Sequence, residues 1–381
     1  MLRAITAIAP SRPLRSPRTN GRVSIRPAAD AGAPGAAVAC DQVHTDGRSG
    51  GAGDMLVVEV GEFGGPEVLV PRQVPDPAAG AGQVVVRVAA ADVLFVDTLI
   101  RSGLAVDFFP VRPPYVPGNG VAGLVTATGG GVDPSWAGRA VVARTGGNGG
   151  WGGYVEQAVV GATDLIPVPD GLGLLEAGAL LHDGATGESL LERAAVRSGE
   201  SVLVTAAAGG MGVLLVQFAS AAGARVIGAA RGARKLEVVR AAGADLALDY
   251  SEPGWVKQVE EFTAGSGADV VFDGAGGALG GAAFGVTAAG GRFSAHGVSD
   301  GGFAAIDPQD AARRGITVHG IPQHEPADLR RLAARALADA AAGRIEPVIG
   351  QTFPLERAAD AHAALAARTA IAKTLLLISS R

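Results

Sequence analysis

The stretch 201–243, SVLVTAAAGGMGVLLVQFASAAGARVIGAARGARKLEVVRAAG, decides the fold. SVLVTA is a short apolar run rich in β-branched residues and reads as a strand. It turns through Ala207-Ala208-Gly209-Gly210-Met211-Gly212 into an apolar helix that stops at Gly223. ARVIGAA is the next strand and ARKLEVVRAAG the next helix, again closed by glycine, which suits the left-handed position after a helix. This alternation predicts an α/β chain with a parallel, doubly wound sheet. The 24 residues from Ser201 to Ala224 carry no charge and could span a bilayer. A buried strand followed by a buried helix gives the same signal, and the glycines, Gln217 and Ser220 favour it.

The turn between the first strand and helix is a dinucleotide fingerprint with alanine in the first glycine place. Gly209 lets the backbone approach a pyrophosphate, Gly212 lets helix and strand pack closely, and the helix N-terminus offers free N–H groups and a positive dipole end. The alternative is a tight turn with no ligand. An NAD site places a carboxylate about 20 residues on, against the ribose hydroxyls. Here no carboxylate occurs between Ser201 and Leu236, and the second strand leads to Arg231, Arg234 and Lys235. Cations at a helix start oppose its dipole, whereas a 2′-phosphate would hold them through charge-assisted hydrogen bonds. NADPH is therefore the expected cofactor.

Downstream, DLALDY, WVKQVEEFTAG, ADVVFDGAG and GGRFSAHG continue the alternation to about Gly320. Beyond it stand two helices, PADLRRLAARALADAAAG and PLERAADAHAALAAR, and a closing strand, AKTLLLI. Upstream, QVVVRVAA, GVAGLVTATG, RAVVAR and GGYVEQAVV are short β-rich runs cut by loops such as FFPVRPPYVPGNG. The expected layout is a β-rich domain over 55–172, a dinucleotide domain over 173–320 and a return to the first domain over 321–381.

Residues 1–54 differ from the rest. They hold seven Arg, no Lys and no Glu, and the first acidic residue is Asp30. Such a stretch buries too little apolar surface to offset its ordering entropy. Three readings stand: a transit peptide, a disordered tail, or translated upstream sequence with Met55 as the true start. The 381-residue chain has a formal charge of −5 and gives no basic balance suited to nucleic acid or an anionic membrane. Its single cysteine, Cys40, can form neither an internal disulfide nor a multi-thiolate zinc site. A reducing, cytoplasmic compartment is the expectation.

Together these residues resemble the zeta-crystallin-like quinone oxidoreductase branch of the medium-chain dehydrogenase/reductase superfamily. The motifs that carry the resemblance are GPEVL, VPDP, VDTLIRSG, PYVPG, GGYVEQAVV, AAGGMG, GARVIGAA, AGADLALDY, DVVFDGAGG, GGRFSAHG and PLERAADAH, in the family's order from about Met55 to the C-terminus. The resemblance implies a GroES-like catalytic domain with an inserted Rossmann domain. It also implies NADPH-dependent hydride transfer to quinones or activated alkenes, usually in a homodimer. Residue by residue, Ala207, Gly209, Gly210 and Gly212 match the phosphate loop. Lys235 matches the family's 2′-phosphate lysine, and Tyr250 its adenosine-side tyrosine. Thr186 matches the threonine near the nicotinamide, and Gly297 and Val298 the loop that holds the carboxamide. The chain departs from the family at Leu94, Ala105 and Ile371-Ala372-Lys373, which makes its pocket more apolar.

Hydride transfer leaves the protein to orient the cofactor and exclude water, but reduction still needs a proton. His182, Asp97 and Tyr115 are the candidate donors, with water as a fourth; His296 beside the carboxamide loop is a further histidine. As a lone histidine, His182 could equally be a structural hydrogen-bonder, and Asp97 could fix the loop before LIRSG. The zinc-dependent cousins need cysteine ligands. No cysteine follows Cys40, and Leu94 fills the first ligand position, so no metal is expected. The alternatives to a quinone or enone reductase are an enoyl reductase on acyl or polyketide substrates and a non-catalytic nucleotide-binding protein on the same fold.

Overall fold

The computed structural model describes residues 53–145, 152–321 and 324–378. The expected extension lies, through residue 52, outside the described residues. The first elements are β1 (Asp54–Val60), β2 (Leu69–Pro75), β3 (Gln83–Val93), α1 (Phe95–Arg101), β4 (Gly120–Thr128), β5 (Ala140–Arg144), β6 (Gln157–Gly161) and β7 (Leu165–Pro167). Next come α2 (Leu174–Leu180), α3 (Asp183–Ala194), β8 (Ser201–Thr205), α4 (Gly210–Ala221), β9 (Arg225–Ala230), α5 (Ala233–Ala241), β10 (Leu246–Asp249), α6 (Trp255–Phe262), β11 (Ala268–Asp273), α7 (Gly277–Gly285) and β12 (Thr287–Ala295). The chain continues through α8 (Pro308–Arg314), β13 (Thr317–His319), α9 (Pro326–Ala341), β14 (Ile349–Pro354), α10 (Ala358–Ala366) and β15 (Lys373–Leu377).

The β-rich part is a seven-stranded sheet in the order β14-β15-β3-β4-β5-β7, with β6 also paired to β3. Its mostly antiparallel ladders explain the period-two pattern. Val84, Val86 and Val88 of β3 point into one core with Val121, Val141, Tyr154 and Leu376. The last strand, β15, is antiparallel to β3, so the C-terminal residues return to the first sheet.

The second sheet is six-stranded and parallel, in the order β10-β9-β8-β11-β12-β13. Strand β8 is buried along its whole length, as a strand covered on both faces must be. Val202 and Val204 pack with Leu215 and Ala219 of α4 on one face. Leu203 packs with Trp255, Val259 and Phe284 on the other. The uncharged run 201–224 is thus a strand and a buried helix. Among the described residues no helix is long and apolar enough to cross a membrane.

From β8 the strand order runs one way to β9 and the other way to β11. Open α/β sheets bind ligands at such a switch point, in the crevice beyond the carboxyl ends of the strands. A shared core joins the sheets: Ala122 and Val142 meet Leu180 of α2, Phe218 of α4 and Leu332 of α9. This core sets the crevice against the first sheet.

Candidate active site

Strand β8 ends at Thr205, and Ala206 turns the chain with φ +51°. Gly209 caps α4, and no side chain caps the N–H groups of the first turn. A methyl at Gly209 would meet only the Ala206 carbonyl, at 3.3 Å, so this side of the loop is open. Gly212 is the opposite case: a Cβ there would stand 2.3 Å from the Ala206 oxygen and 2.8 Å from Ala207 Cα. The open N-terminus is a cradle of donors with a positive dipole end, which fits a pyrophosphate. The approach to β15 crosses the loop, where Ala372 N–H donates to the Ala208 carbonyl at 2.7 Å.

At the end of β9 the chain gathers cations. Lys235 Nζ donates to the Arg368 carbonyl at 2.7 Å. Burial pushes the Lys235 ammonium pKa down, and the charges of Arg231 and Arg368 push it further. Burial raises the Tyr250 phenol, and the same two arginines oppose that rise. Arg231, Lys235, Tyr250 and Arg368 therefore share one surface. Among the described residues Arg231 and Lys235 have no ion pair, while Arg368 reaches Asp300 at 3.5 Å. Arg234 is exposed, and the charges acting on Lys235 and Tyr250 do not include it. Parallel pairing of β10 with β9 also brings in a carboxylate, Asp249. Its Oδ2 accepts the Gly232 N–H at 2.7 Å, and its Oδ1 accepts from Ser251 N–H and Oγ at 2.9 and 2.5 Å. Both oxygens are engaged by protein donors.

On the other side of the crevice, Asp273 at the end of β11 accepts from Thr205 Oγ at 2.7 Å and from the N–H groups of Ala275 and Gly276. This ties the carboxyl ends of β8 and β11 together. The chain leaving β12 passes over them: Gly297 N–H donates to the Asp273 carbonyl at 2.9 Å. A Cβ on Gly297 would stand 1.9 Å from the Gly274 oxygen, so only glycine fits. Val298 follows and accepts from Gly301 N–H at 3.1 Å. Burial drives the His296 imidazole down to about 4, so it is neutral near pH 7.

The proton-donor candidates fall into two buried networks. In the first, His182 caps the N-terminus of α3, and Thr186, one turn on, donates its N–H to the His182 carbonyl. His182 Nδ1 stands 2.7 Å from Asp92 Oδ2, and both side chains are almost wholly buried. Lys373 Nζ donates to Asp92 at 3.4 Å and to Asp183 at 3.1 Å. Burial would raise the Asp92 carboxyl, but His182 and Lys373 prevail and hold it at about 2. Burial would lower the Lys373 pKa, but Asp183 and Asp92 raise it. This site carries a carboxylate-anchored imidazole and a fixed ammonium.

In the second network, Asp97 accepts the Leu94 N–H at 2.8 Å and the Tyr154 hydroxyl at 3.5 Å, and Tyr154 meets His362 Nε2 at 2.9 Å. Burial raises the Asp97 carboxyl to about 7. Tyr115 lies nearby, its phenol pushed well above the usual range by burial and by the Asp97 charge. Asp97 thus ties the start of α1 to the core under the sheet.

Family models match two segments of the chain: the alcohol dehydrogenase GroES-like domain over residues 80–170 and the zinc-binding dehydrogenase domain over residues 210–339. A quinone oxidoreductase of Rattus norvegicus is 31% identical over 314 residues, covering 81% of this chain and 93% of that protein. A 2-haloacrylate reductase of a Burkholderia species is 32% identical, over 85% of this chain and 99% of that protein. The chain belongs to the quinone oxidoreductase family. Its members are oxidoreductases of the medium-chain dehydrogenase/reductase superfamily. The Escherichia coli quinone oxidoreductase solved with NADPH superposes with a TM-score of 0.77 at 28% identity, over 84% of this chain and 99% of that one.

Among the described residues no group of three or more His, Cys, Asp or Glu is placed to hold a metal ion. A nicotinamide dinucleotide does fit: it finds a helix N-terminus that no side chain caps and a cation surface in which Arg231 and Lys235 make no ion pair among the described residues. Sequence reading missed Asp92, Lys373, Arg368 and Asp249. Two of these had a signal: Lys373 is the lysine retained where the family's TGK reads Ile371-Ala372-Lys373, and Asp249 lies in the AGADLALDY motif.

Proposed function

We propose that this oxidoreductase transfers hydride from NADPH to a quinone or an α,β-unsaturated carbonyl. The cofactor is NADPH. When bound, it supplies the hydride, which carries the electron pair. Gly209, Gly210 and Gly212 hold the pyrophosphate at the N-terminus of α4, with Ala207 in the turn before it. Arg231, Lys235 and Arg368 receive the 2′-phosphate beside Tyr250, with Arg234 at the same helix start. Thr186, Gly297 and Val298 border the nicotinamide. His182 gives the proton: Asp92 holds its Nδ1 and its Nε2 has no hydrogen-bond partner, while Asp97 is engaged by Leu94 and Tyr154.

The observation that carries this reading is the cation surface of Arg231 and Lys235, neither of which makes an ion pair among the described residues although the Arg231 charge acts on Asp249, on a chain whose dinucleotide loop is open. Hydrogen bonds to charged groups contribute about 1.5–3 kcal/mol each, less where water reaches them. The apolar positions Leu94 and Ala105 support an apolar acceptor, and an enoyl reductase on acyl substrates is the second reading. A homodimer belongs to the proposal. Val318 and Ile321, 40% and 50% exposed at and just beyond the edge strand β13, support it.

The test is NADPH consumption across quinones, enones and acyl thioesters. Turnover of quinones or enones above thioesters supports the first reading. Preference for thioesters selects the second. Tight NADPH binding without turnover of any acceptor would leave a non-catalytic nucleotide-binding protein.

A further inference from the structure

We infer that Asp92 is a positioning residue that fixes the tautomer of His182, so that Nε2 is the nitrogen that delivers the proton to the reduced acceptor. This rests on His182 being the donor. The Asp92 carboxylate is ionised and carries no proton, so at 2.7 Å it can only accept from Nδ1–H. Nε2 is then left for the reaction. That atom is buried and has no hydrogen-bond partner, and His182 is 6% exposed.

The ring and its carboxylate pack against β4 at Gly120. His182 Cε1 and Asp92 Oδ1 lie 2.6 and 2.9 Å from where a Cβ on Gly120 would stand. The preceding residue, Asn119, also has a buried Oδ1 without a partner. On the cofactor side, Asp183 Oδ2 lies 2.4 Å from the Cβ position of Gly210, and the Lys373 stem lies 3.2 Å from it. Lys373 therefore holds Asp92 in place while its other bond, to Asp183, reaches the first residue of α4. The same ammonium secures the dyad and the dinucleotide loop. Arg144 of β5 and Asp97 of α1 add their charges to this surrounding.

The step balances simply. Hydride adds to the acceptor and leaves an enolate or a hydroquinone anion. The Nε2–H bond of the imidazolium breaks, its electron pair stays on the ring, and the proton bonds to the acceptor. The neutral ring keeps Nδ1–H on Asp92, and water restores the Nε2 proton. The sum is acceptor plus NADPH plus one proton, giving reduced acceptor plus NADP⁺.

The experiment uses the whole chain, with 1,4-naphthoquinone and 2-cyclohexen-1-one as acceptors. His182→Gln is expected to lower kcat by about 100-fold or more. Asp92→Asn is expected to lower it by at least about 10-fold with the KM for NADPH little changed, and Asp92→Glu to recover part of the loss. The double variant should be no slower than His182→Gln alone, because Asp92 acts through the ring. If His182→Gln keeps full activity, the donor assignment fails. If that variant is slow but Asp92→Asn is not, or the two losses multiply, the donor stands and the positioning role is overturned. Histidine ¹⁵N spectra of the unaltered protein give an answer independent of variant folding. The neutral His182 ring, assigned by its loss in His182→Gln or by its proximity to Gly120, should carry its proton on Nδ1. A proton on Nε2 would overturn the inference.

Discussion

Asp97 Oδ2 accepts the backbone N–H of Leu94 at 2.8 Å, and burial raises that carboxyl to about 7. The unfolded chain releases the same proton near 3.8. Between these values the folded state binds one proton that the unfolded state lacks, so this group lowers stability as pH rises. The term grows from about pH 4 to about pH 7 and is constant above. At 1.36 kcal/mol per pKa unit it amounts to roughly 4 kcal/mol at most. Asp97→Asn keeps the acceptor for Leu94 and removes the titration. Denaturant unfolding of both proteins at pH 5 and pH 8 should show the variant gaining on the parent as pH rises. A difference independent of pH would show that Asp97 is ionised throughout.

Gly212 is fixed by its neighbours. A methyl 2.3 Å from the Ala206 oxygen forces apart the strand end and helix start that form the cradle. Gly212→Ala should cost about 1–3 kcal/mol of stability and weaken NADPH binding at least tenfold. Fluorescence titration and thermal melts check both. Unchanged binding would mean that the loop relaxes without loss.

Zinc independence follows from the donor set, since no cysteine lies beyond Cys40. Metal analysis of purified protein should find well under one zinc per chain, and a chelator should leave turnover unchanged. Stoichiometric zinc with chelator-sensitive activity would refute it.

The composition of the first residues gives a fourth expectation. A chain that starts at Gly53, just ahead of β1, should keep the melting temperature and activity of the full chain. Loss of either would give that segment a role in packing or function.

What the sequence made legible was local. Strand β8, the glycine loop and α4 are contiguous, so period and turn chemistry reveal them without tertiary knowledge. The partners that complete the site are distant in the chain. Asp92 and His182 are 90 residues apart, and Asp92 and Lys373 are 281 apart. Only the return of β15 to β3 brings Lys373 to the dyad, and pattern within a window cannot see it. Arg368 reaches Lys235 across 133 residues for the same reason. Asp249 shows the limit in another form: counting carboxylates between Ser201 and Leu236 overlooks one supplied by the next parallel strand. The role of Asp97 stayed open because an acid that caps a helix start and an acid that gives a proton look alike in sequence.

The central claim is that this site reads the 2′-phosphate of NADPH, and kcat/KM for NADPH against NADH tests it most directly. Arg231 and Lys235 make no ion pair among the described residues, and Asp249, on which the Arg231 charge acts, is hydrogen-bonded by Gly232 and Ser251. The unaltered protein should prefer NADPH by roughly 2–4 kcal/mol, about 30- to 1000-fold. Replacing both Arg231 and Lys235 with alanine should raise the KM for NADPH and leave NADH nearly unchanged, because NADH has no phosphate to lose contact with. Equal use of the two cofactors, or equal losses in the double variant, would contradict the account.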